Sequence, residues 1–159
     1  MEKIASFTVD HLRLLTGLYV SRIDDADGCP VTTFDIRMTR PNAEPPMDNP
    51  GIHAFEHLGA TFLRNDPEWQ RRIIYFGPMG CRTGFYLVLT GRYRSEDVLD
   101  LIRRMFEFVA GFEGEIPGAC ARDCGNYLDM NLSLAQYYAR KYISEVLDDP
   151  CAQRLNYPD

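Results

Sequence analysis

The sequence predicts an α+β fold in which a mainly antiparallel β-sheet packs against helices. Segments rich in β-branched and aromatic residues come in two pairs, at residues 16–23 and 31–38 and at residues 72–76 and 84–89. Stretches with apolar residues at helical spacing follow each pair, so the predicted order is ββαββαα. The length of 159 residues is close to that of one average domain, and we expect residues 1–159 to form a single domain.

The first pair of predicted strands forms a hairpin. Residues 24–30 lie between the strands and contain three aspartates, a glycine and a proline, which all favour turns. In the second strand Phe34 and Ile36 alternate with Asp35 and Arg37, so one face is apolar and the other is polar. The polar residues of this strand are expected on a solvated surface.

A loop with four prolines, residues 39–50, leads into the first predicted helix. Residues 51–64 carry apolar side chains at spacings of three and four, which predicts an amphipathic helix. The later strand at residues 84–89 is nearly all apolar. It is therefore expected in the centre of the sheet, where both of its faces are covered.

The clearest helical pattern spans residues 95–112. Ser95 is the predicted N-cap, and two acidic residues follow it in the first turn. A loop at residues 114–131 separates this helix from a last one at residues 132–147. The expected buried positions are Val98, Leu101, Ile102, Met105, Phe106 and Val109 in the first helix and Ala135, Tyr138, Tyr142 and Val146 in the second.

Composition and charge exclude several classes of protein. Acidic residues outnumber basic ones by 23 to 17, and the net charge of -6 opposes binding to a phosphate backbone, so we expect no nucleic-acid partner. No stretch approaches the ~18 apolar residues of a membrane span, and no apolar signal segment begins the chain. We therefore expect no membrane partner and a cytoplasmic location. Five cysteines without a secretory signal favour free or metal-bound thiols over disulfides.

A pair of histidines on the first predicted helix indicates a metal site. His53 and His57 lie four residues apart, on one helix face, with Glu56 beside the second of them. A tetrahedral metal needs at least one further ligand, and the sequence has three histidines but no fourth. A carboxylate or a cysteine could serve; Cys124 in the later loop is the candidate and Cys120 is its rival. Three protein ligands would leave a position open for water or substrate, as in catalytic sites.

The loop between the second pair of strands carries a possible acid/base. Cys81 follows Met79 and Gly80, and small residues there let a ligand approach the backbone closely. Its thiol could act as a general acid/base. The alternative is a buried structural cysteine, which is the commonest state of a free cysteine.

Two other kinds of metal site fit the same histidine pair. The spacing HxxEH is also that of inverted zincins, metallopeptidases in which the glutamate is the base and a distant glutamate is the third ligand. Peptide cleavage that depends on Glu145 rather than on Cys124 would favour that alternative. A closed structural site with four protein ligands is the third hypothesis, with Cys120 as the fourth ligand.

A series of motifs runs in order from residue 6 to about residue 135. The motifs are Ser6-Phe7-x-x-Asp10-His11, Phe34-Asp35-Ile36-Arg37 before Pro41-Asn42, the HxxEH helix, Pro78-Met79-Gly80-Cys81-Arg82-Thr83-Gly84, and Ile116-Pro117-Gly118 before Cys124-Gly125-Asn126-Tyr127. In this combination the sequence resembles the S-ribosylhomocysteine lyases, the LuxS family of autoinducer-2 synthases. The PMGC motif at residues 78–81 with HxxEH and the later Cys-Gly is highly specific, whereas HxxEH alone is not.

The resemblance implies an activity and a metal. Members split S-ribosylhomocysteine into homocysteine and 4,5-dihydroxy-2,3-pentanedione, the autoinducer-2 precursor, by two carbonyl migrations and a β-elimination. It implies that the metal is Fe2+, with Zn2+ or Co2+ as substitutes, held by His53, His57 and Cys124 with water as the fourth ligand. It further implies that Glu56 and Cys81 are the acid/base pair. Whether the purpose is quorum sensing or methyl-cycle recycling stays open.

The resemblance also implies substrate contacts and an oligomeric state. Ser6, His11 and Arg37 would bind the ribosyl portion of the substrate, and Arg64 would lie near its homocysteine end. The family's active sites draw residues from both chains of a homodimer, so a homodimer is expected here.

Two positions depart from the family pattern. Ala54 follows the first metal histidine, where most members have Thr or Ser. Tyr75 stands six positions before Cys81, where most members have Asp. Neither change touches a metal ligand or the acid/base pair, so we expect activity with altered substrate contacts.

Overall fold

One antiparallel sheet forms the framework of residues 7–158, the part of the chain that the computed structural model describes. Its strand order is β1-β2-β4-β3, which confirms the α+β prediction and the central place of the apolar strand. The strands are β1 (Gly17–Ala26), β2 (Cys29–Arg37), β3 (Ile73–Pro78) and β4 (Gly84–Thr90). The helices are α1 (Asn49–Asn65), α2 (Leu99–Ala110), α3 (Leu132–Tyr142) and α4 (Ala152–Leu155).

The hairpin turn between β1 and β2 is tighter than the sequence predicts. The strands continue to Ala26 and Cys29, so only Asp27 and Gly28 lie in the turn. Both residues have positive φ, at 53° and 85°. A two-residue turn of this kind matches the right-handed twist of the paired strands, which explains why pairing extends through the predicted turn.

The predicted helix at residues 95–112 begins differently from the expectation. Its first turn, Ser95–Val98, is a 3₁₀ turn, and Arg94 rather than Ser95 occupies the N-cap position. The prediction for Ser95 is wrong because its hydroxyl donates to the carbonyl oxygen of Leu155 at 2.9 Å. The Asp97 carboxylate instead accepts from the Arg94 backbone N–H at 2.8 Å.

The apolar side chains of the last two long helices are buried as predicted. The expected stripe of α2 and of its first turn is inside the core, and so is the expected face of α3. A π-helical turn, Ile143–Leu147, extends α3 to the predicted end of the last helix. The four-residue α4 was not predicted, because so short a helix shows no hydrophobic period.

The helices cover one face of the sheet. Phe34 pairs with Leu87 and Ile36 with Phe85, so these four side chains share a face. Phe55 of α1 stacks on Phe85 with ring centroids 4.9 Å apart. The apolar core therefore lies between the sheet and α1, and α2 and α3 pack around it.

The opposite face of the sheet is polar, and two of its charged residues are buried. Asp35 pairs with Tyr86 across β2 and β4 and with Tyr19 across β1 and β2, so their side chains share this face. Asp35 and Arg37 are only 1% and 4% exposed. The expectation of a solvated surface is wrong, because Tyr157, far along the chain, packs on Tyr19 and contacts Asp35.

No helix in residues 7–158 combines the length and the apolar character needed to cross a bilayer.

Candidate active site

Helix α1 carries three of the predicted site residues on the side that faces away from the sheet. Pro50 lies in its first turn, a position where the missing N–H costs nothing. His53, Glu56 and His57 are half-buried and share the outer side of the helix. The buried residues of the helix are Gly51, Ile52, Ala54, Phe55, Leu58, Gly59 and Leu63.

Backbone carbonyl groups orient the two imidazole rings. The Nδ1 atom of His53 lies 2.9 Å from the carbonyl oxygen of Asp129, and that of His57 lies 2.7 Å from the carbonyl oxygen of Pro117. A carbonyl oxygen only accepts, so each Nδ1 carries the proton and donates it. Each ring is therefore held in the tautomer whose Nε2 lone pair can bind a metal.

Cys124 completes a group of three ligands. Its Sγ atom lies 3.4 Å from Nε2 of His53, and the ligand atoms of His53, His57 and Cys124 all lie within 4.8 Å of one another. Two ligands of one tetrahedral ion, with bonds of about 2.0 and 2.3 Å, are separated by roughly 3.5 Å. Two imidazoles and one thiolate suit a divalent transition metal. The residues present thus fit such an ion and leave its fourth position open.

The extra ligand that a closed structural site or a peptidase site would need is not near the three ligands among residues 7–158. Cys120 is exposed, and its thiol donates to the Asp123 carboxylate at 3.3 Å. Glu145 accepts from the Lys141 ammonium group at 2.8 Å. In the part of the chain that the structure describes, the group of clustered ligand atoms includes neither residue. A closed structural site and a glutamate-completed peptidase site are therefore not favoured.

A cavity of about 280 Å³ lies on the polar face of the sheet. Cys81, His11 and Arg37, three of the predicted site residues, all line it. Cys81 is exposed, so the alternative of a buried structural cysteine is wrong. The full lining consists of Phe7, Val9, His11, Ser21, Asp35, Arg37, Met79, Gly80, Cys81, Tyr86 and Tyr157.

Hydrogen bonds connect the residues of this cavity into one network. Arg37 donates through Nε and Nη2 to the two oxygens of Asp35, at 3.1 and 2.5 Å. Its Nη1 donates to Thr83 Oγ1 at 2.6 Å, and Cys81 Sγ lies 3.0 Å from the same oxygen. Burial alone would lower the pKa of Arg37, but the charge and hydrogen bonds of Asp35 outweigh it and raise the pKa. The cavity therefore contains a permanently charged guanidinium beside a thiol.

Comparison with known proteins assigns the chain that bears these two groups of residues to a family. The model of the S-Ribosylhomocysteinase (LuxS) family matches residues 4–152. The chain is a member of the LuxS family. An S-ribosylhomocysteine lyase of Clostridium acetobutylicum is 59% identical over 159 residues, the whole of both chains. Lyases of the same description from Finegoldia magna and Phocaeicola vulgatus are 55% and 52% identical, the latter over 99% of this chain and 98% of the relative.

The other predicted substrate contacts of this LuxS chain, His11, Arg64 and Ser6, do not all lie at the cavity. The Nδ1 atom of His11 donates to the carbonyl oxygen of Val9 at 2.9 Å, which leaves its Nε2 for a ligand. Arg64 does not line the cavity; it donates to the carbonyl oxygen of Ile74 at 3.0 Å, at the end of α1. Ser6 lies outside the described residues.

The two departures from the LuxS pattern have distinct surroundings. Ala54 is fully buried, so the side chain that replaces the usual Thr or Ser packs in the core. Tyr75 pairs with Val88 across β3 and β4 and is exposed. Its phenol extends over Gly77, which has no side chain to occupy that space.

Within one LuxS chain the metal triad and the cavity lie on opposite sides of the sheet. The triad is on the outer side of α1, and α1 itself packs on the apolar face of the sheet. The cavity with Cys81 and Arg37 opens on the polar face. The structure thus brings the three predicted ligands together, and it brings Cys81 together with two predicted substrate contacts, but it keeps Glu56 apart from Cys81.

Sequence reasoning missed one residue of the hydrogen-bond network and three residues that line the cavity. Thr83 links Cys81 to Arg37 and stands inside the specific PMGC motif, so its motif position was the available signal. Ser21, Tyr86 and Tyr157 line the cavity. No motif or spacing marks these three residues, because only the pairing of the strands and the path of the last residues bring them together.

Proposed function

We propose that this chain cleaves S-ribosylhomocysteine into homocysteine and 4,5-dihydroxy-2,3-pentanedione. One observation carries the proposal: a triad of metal-ligand type and a cavity with a thiol beside a guanidinium occur together in a chain of the LuxS family. The lyases of this description match the chain from end to end at 49–59% identity.

The metal in the proposed function is Fe2+, with Zn2+ or Co2+ as substitutes. His53, His57 and Cys124 would hold it, since their ligand atoms cluster within 4.8 Å. A bound divalent ion supplies Lewis-acid polarisation of the oxygens of the sugar carbonyl and its neighbouring hydroxyl. The carbonyl oxygens of Asp129 and Pro117 keep the imidazoles aligned for this task.

Cys81 and Glu56 would move the protons of the reaction. Each carbonyl migration, from C1 to C2 and from C2 to C3, removes a proton from one carbon and returns a proton to its neighbour. Cys81 in its thiolate form takes one proton and gives it back, so the residue is regenerated. With the carbonyl at C3, Glu56 removes the C4 proton and leaves a C3–C4 enolate. As the C3 carbonyl re-forms, the electron pair of the enolate moves into a C4–C5 double bond, and the C5–S bond breaks. The sulfur leaves as the thiolate of homocysteine, which a proton then neutralises.

The substrate's ribosyl portion would lie in the cavity of the polar face. Arg37 and His11 line this cavity. Their guanidinium N–H and imidazole groups would bind the hydroxyls of the ribosyl portion. Ser6 is proposed as a third contact from the same N-terminal segment. Arg64 is proposed near the homocysteine end, where its present bonds to backbone carbonyls would be exchanged for the amino acid carboxylate.

A homodimer would bring the separated residues together. Glu56 and the triad lie on the other side of the sheet from Cys81, so the proposed acid/base pair needs a second copy of the chain. Large apolar side chains are exposed beside both groups: Phe7 at 67% and Leu12 at 83% near the cavity, and Leu128 at 80% in the loop that bears Cys124. A two-fold interface through both surfaces would cover these side chains and form two equal active sites.

The test of the proposed function is homocysteine release from S-ribosylhomocysteine by metal-loaded protein, compared with Cys81→Ala protein. Many turnovers that disappear in Cys81→Ala would support it. Absence of release from protein that holds one metal ion per chain would contradict it.

A further inference from the structure

We infer that Tyr157 is a positioning residue for Arg37, acting through Asp35, and that its ring forms part of the wall of the substrate cavity. The inference rests on the proposed function, because it assigns Arg37 to substrate. Tyr157 lies beyond residues 4–152, the part of the chain that the LuxS family model matches.

The segment that bears Tyr157 is anchored to the body of the protein. Arg154 donates through Nη1 to the carbonyl oxygen of Thr16 at 2.8 Å and to its hydroxyl at 2.5 Å. The Ser95 hydroxyl donates to the carbonyl oxygen of Leu155, whose side chain is buried. These contacts fix the path of the chain just before Tyr157.

Tyr157 makes two kinds of contact with the polar face of the sheet. Its ring stacks on Tyr19, with centroids 4.8 Å apart and planes 20° from parallel. Its hydroxyl donates to Asp35 Oδ2 at 2.8 Å and also shares a hydrogen bond with the Ser21 hydroxyl. The ring therefore lies flat on the sheet with its polar end at the buried carboxylate.

The buried carboxylate of Asp35 makes this hydroxyl important. A buried ion pair loses the hydration of both charges, and its oxygens must be satisfied by neighbouring donors. Arg37 supplies two of the donors and Tyr157 supplies a third. Burial, and then the charge of Asp35, raise the pKa of Tyr157 far above its usual range, so the phenol keeps its proton and donates at every physiological pH.

The position of Arg37 depends on this carboxylate. Three of its N–H groups are engaged, two with Asp35 and one with Thr83. A guanidinium has five N–H donors in one plane, so the orientation of that plane decides where the other two point. With the Tyr157 hydroxyl removed, Asp35 Oδ2 loses a donor and the pair settles into a different orientation. The groups that Arg37 offers to the cavity then move away from the hydroxyls of the substrate.

The test uses Tyr157→Phe, which keeps the stacked ring and removes only the hydroxyl. In metal-loaded protein we expect KM for S-ribosylhomocysteine to rise about tenfold while kcat changes less than about threefold. Tyr137→Phe is the matched control, since Tyr137 is exposed on α3 and does not line the cavity; its KM should equal that of the unmodified protein. A merely structural role would lower the unfolding temperature and the fraction of active protein, thus kcat, and leave KM unchanged; that result would overturn the inference.

A double-mutant cycle checks that Tyr157 acts through Arg37. In an Arg37→Lys background, Tyr157→Phe should add less than about twofold to KM, because the residue that it positions is already gone. Full additivity of the two changes would overturn the inference. Failure of the unmodified, metal-loaded protein to release homocysteine would refute the proposed function instead, whereas an active protein with an unchanged KM in Tyr157→Phe refutes only the role of Tyr157.

Discussion

The Nδ1 atom of His57 and the carbonyl oxygen of Pro117 lie 2.7 Å apart. This hydrogen bond ties a candidate metal ligand on α1 to the loop that follows α2, 60 residues later in the chain. The next residue, Gly118, has a φ of +73°, and a Cβ atom there would lie 3.2 Å from Nδ1 of His57. A side chain at residue 118 would therefore crowd the imidazole that the loop orients.

Substitution of Gly118 should weaken metal binding. In Gly118→Ala the new methyl group presses on His57 and displaces its ring from the carbonyl of Pro117. Loss of such an orienting contact typically costs about tenfold or more in metal affinity. Competition with a chelator of known affinity measures this loss.

The matched control is Gly114→Ala in the same loop region. Gly114 also has a positive φ, +107°, but no atom lies within 4 Å of the position of a Cβ. Gly114→Ala therefore also introduces backbone strain, but its methyl group has no contact with a metal ligand. Equal losses of metal affinity in the two variants would show that strain, not the contact with His57, is the cause.

Metal binding and turnover should separate in two single variants. His57→Ala removes one of the three ligands, so we expect it to lose both the metal and homocysteine release. Cys81 lies on the other face of the sheet from the ligands. The Cys81→Ala protein should therefore retain about one metal ion per chain, but its turnover should fall by a factor of at least ~1000. Metal analysis beside the activity assay distinguishes the two, and an active Cys81→Ala protein would exclude the acid/base role.

Two inactive variants should restore activity when they form mixed dimers. A dimer of one Cys81→Ala chain and one His57→Ala chain contains one site with both defects and one site with neither. One of the two sites in each mixed dimer is therefore intact, so purified mixed dimers should regain about half of the unmodified activity per chain. Co-expression with two affinity tags and an activity assay on the doubly purified protein provide the measurement. Inactive mixed dimers would mean that each site is built within one chain.

Acid sensitivity should depend on Asp66, at the end of α1. Burial alone would raise the pKa of Asp66, but hydrogen bonds from Arg104 and from the backbone N–H groups of Trp69 and Glu68 outweigh it and lower the pKa. A lowered pKa in the folded protein stabilises it above the usual value of 3.8, and this contribution disappears as the pH falls below that value. Asp66→Asn should therefore lose about 2 kcal/mol of unfolding free energy at neutral pH and much less in acid.

Denaturant unfolding at neutral and acidic pH measures this difference. Asp100→Asn is the control, because Asp100 binds the same Arg104 at 2.8 Å but is 83% exposed. Its removal should change the unfolding free energy by less than about 0.5 kcal/mol at either pH. A loss in Asp66→Asn that stays constant between neutral and acidic pH would contradict the assignment.

The sequence predicts those parts of the protein that depend on local spacing. The four-residue interval between His53 and His57 puts both on one helix face, and the structure has them there with Cys124 nearby. The apolar periods of α2 and α3 likewise predict which side chains are buried. Such patterns are local because a helix fixes the geometry between neighbouring turns.

The burial of Asp35 and Arg37 could not be predicted in this way. It depends on Tyr157, 122 residues after Asp35, and no local pattern links the two positions. The prediction of Ser95 as an N-cap is wrong for the same reason, since its hydroxyl donates to the carbonyl oxygen of Leu155, 60 residues later. The separation of Cys81 from the triad is also invisible in the sequence, because it follows from the face of the sheet on which each group lies.

Homocysteine release from S-ribosylhomocysteine tests the central claim most directly. The protein is purified without oxygen and loaded with Fe2+, and free thiol is followed after subtraction of the protein's own five cysteines. The account predicts many equivalents of homocysteine per chain, and none above background from Cys81→Ala. No release from protein that holds one metal ion per chain would contradict the account and would show that the LuxS site acts here on another substrate.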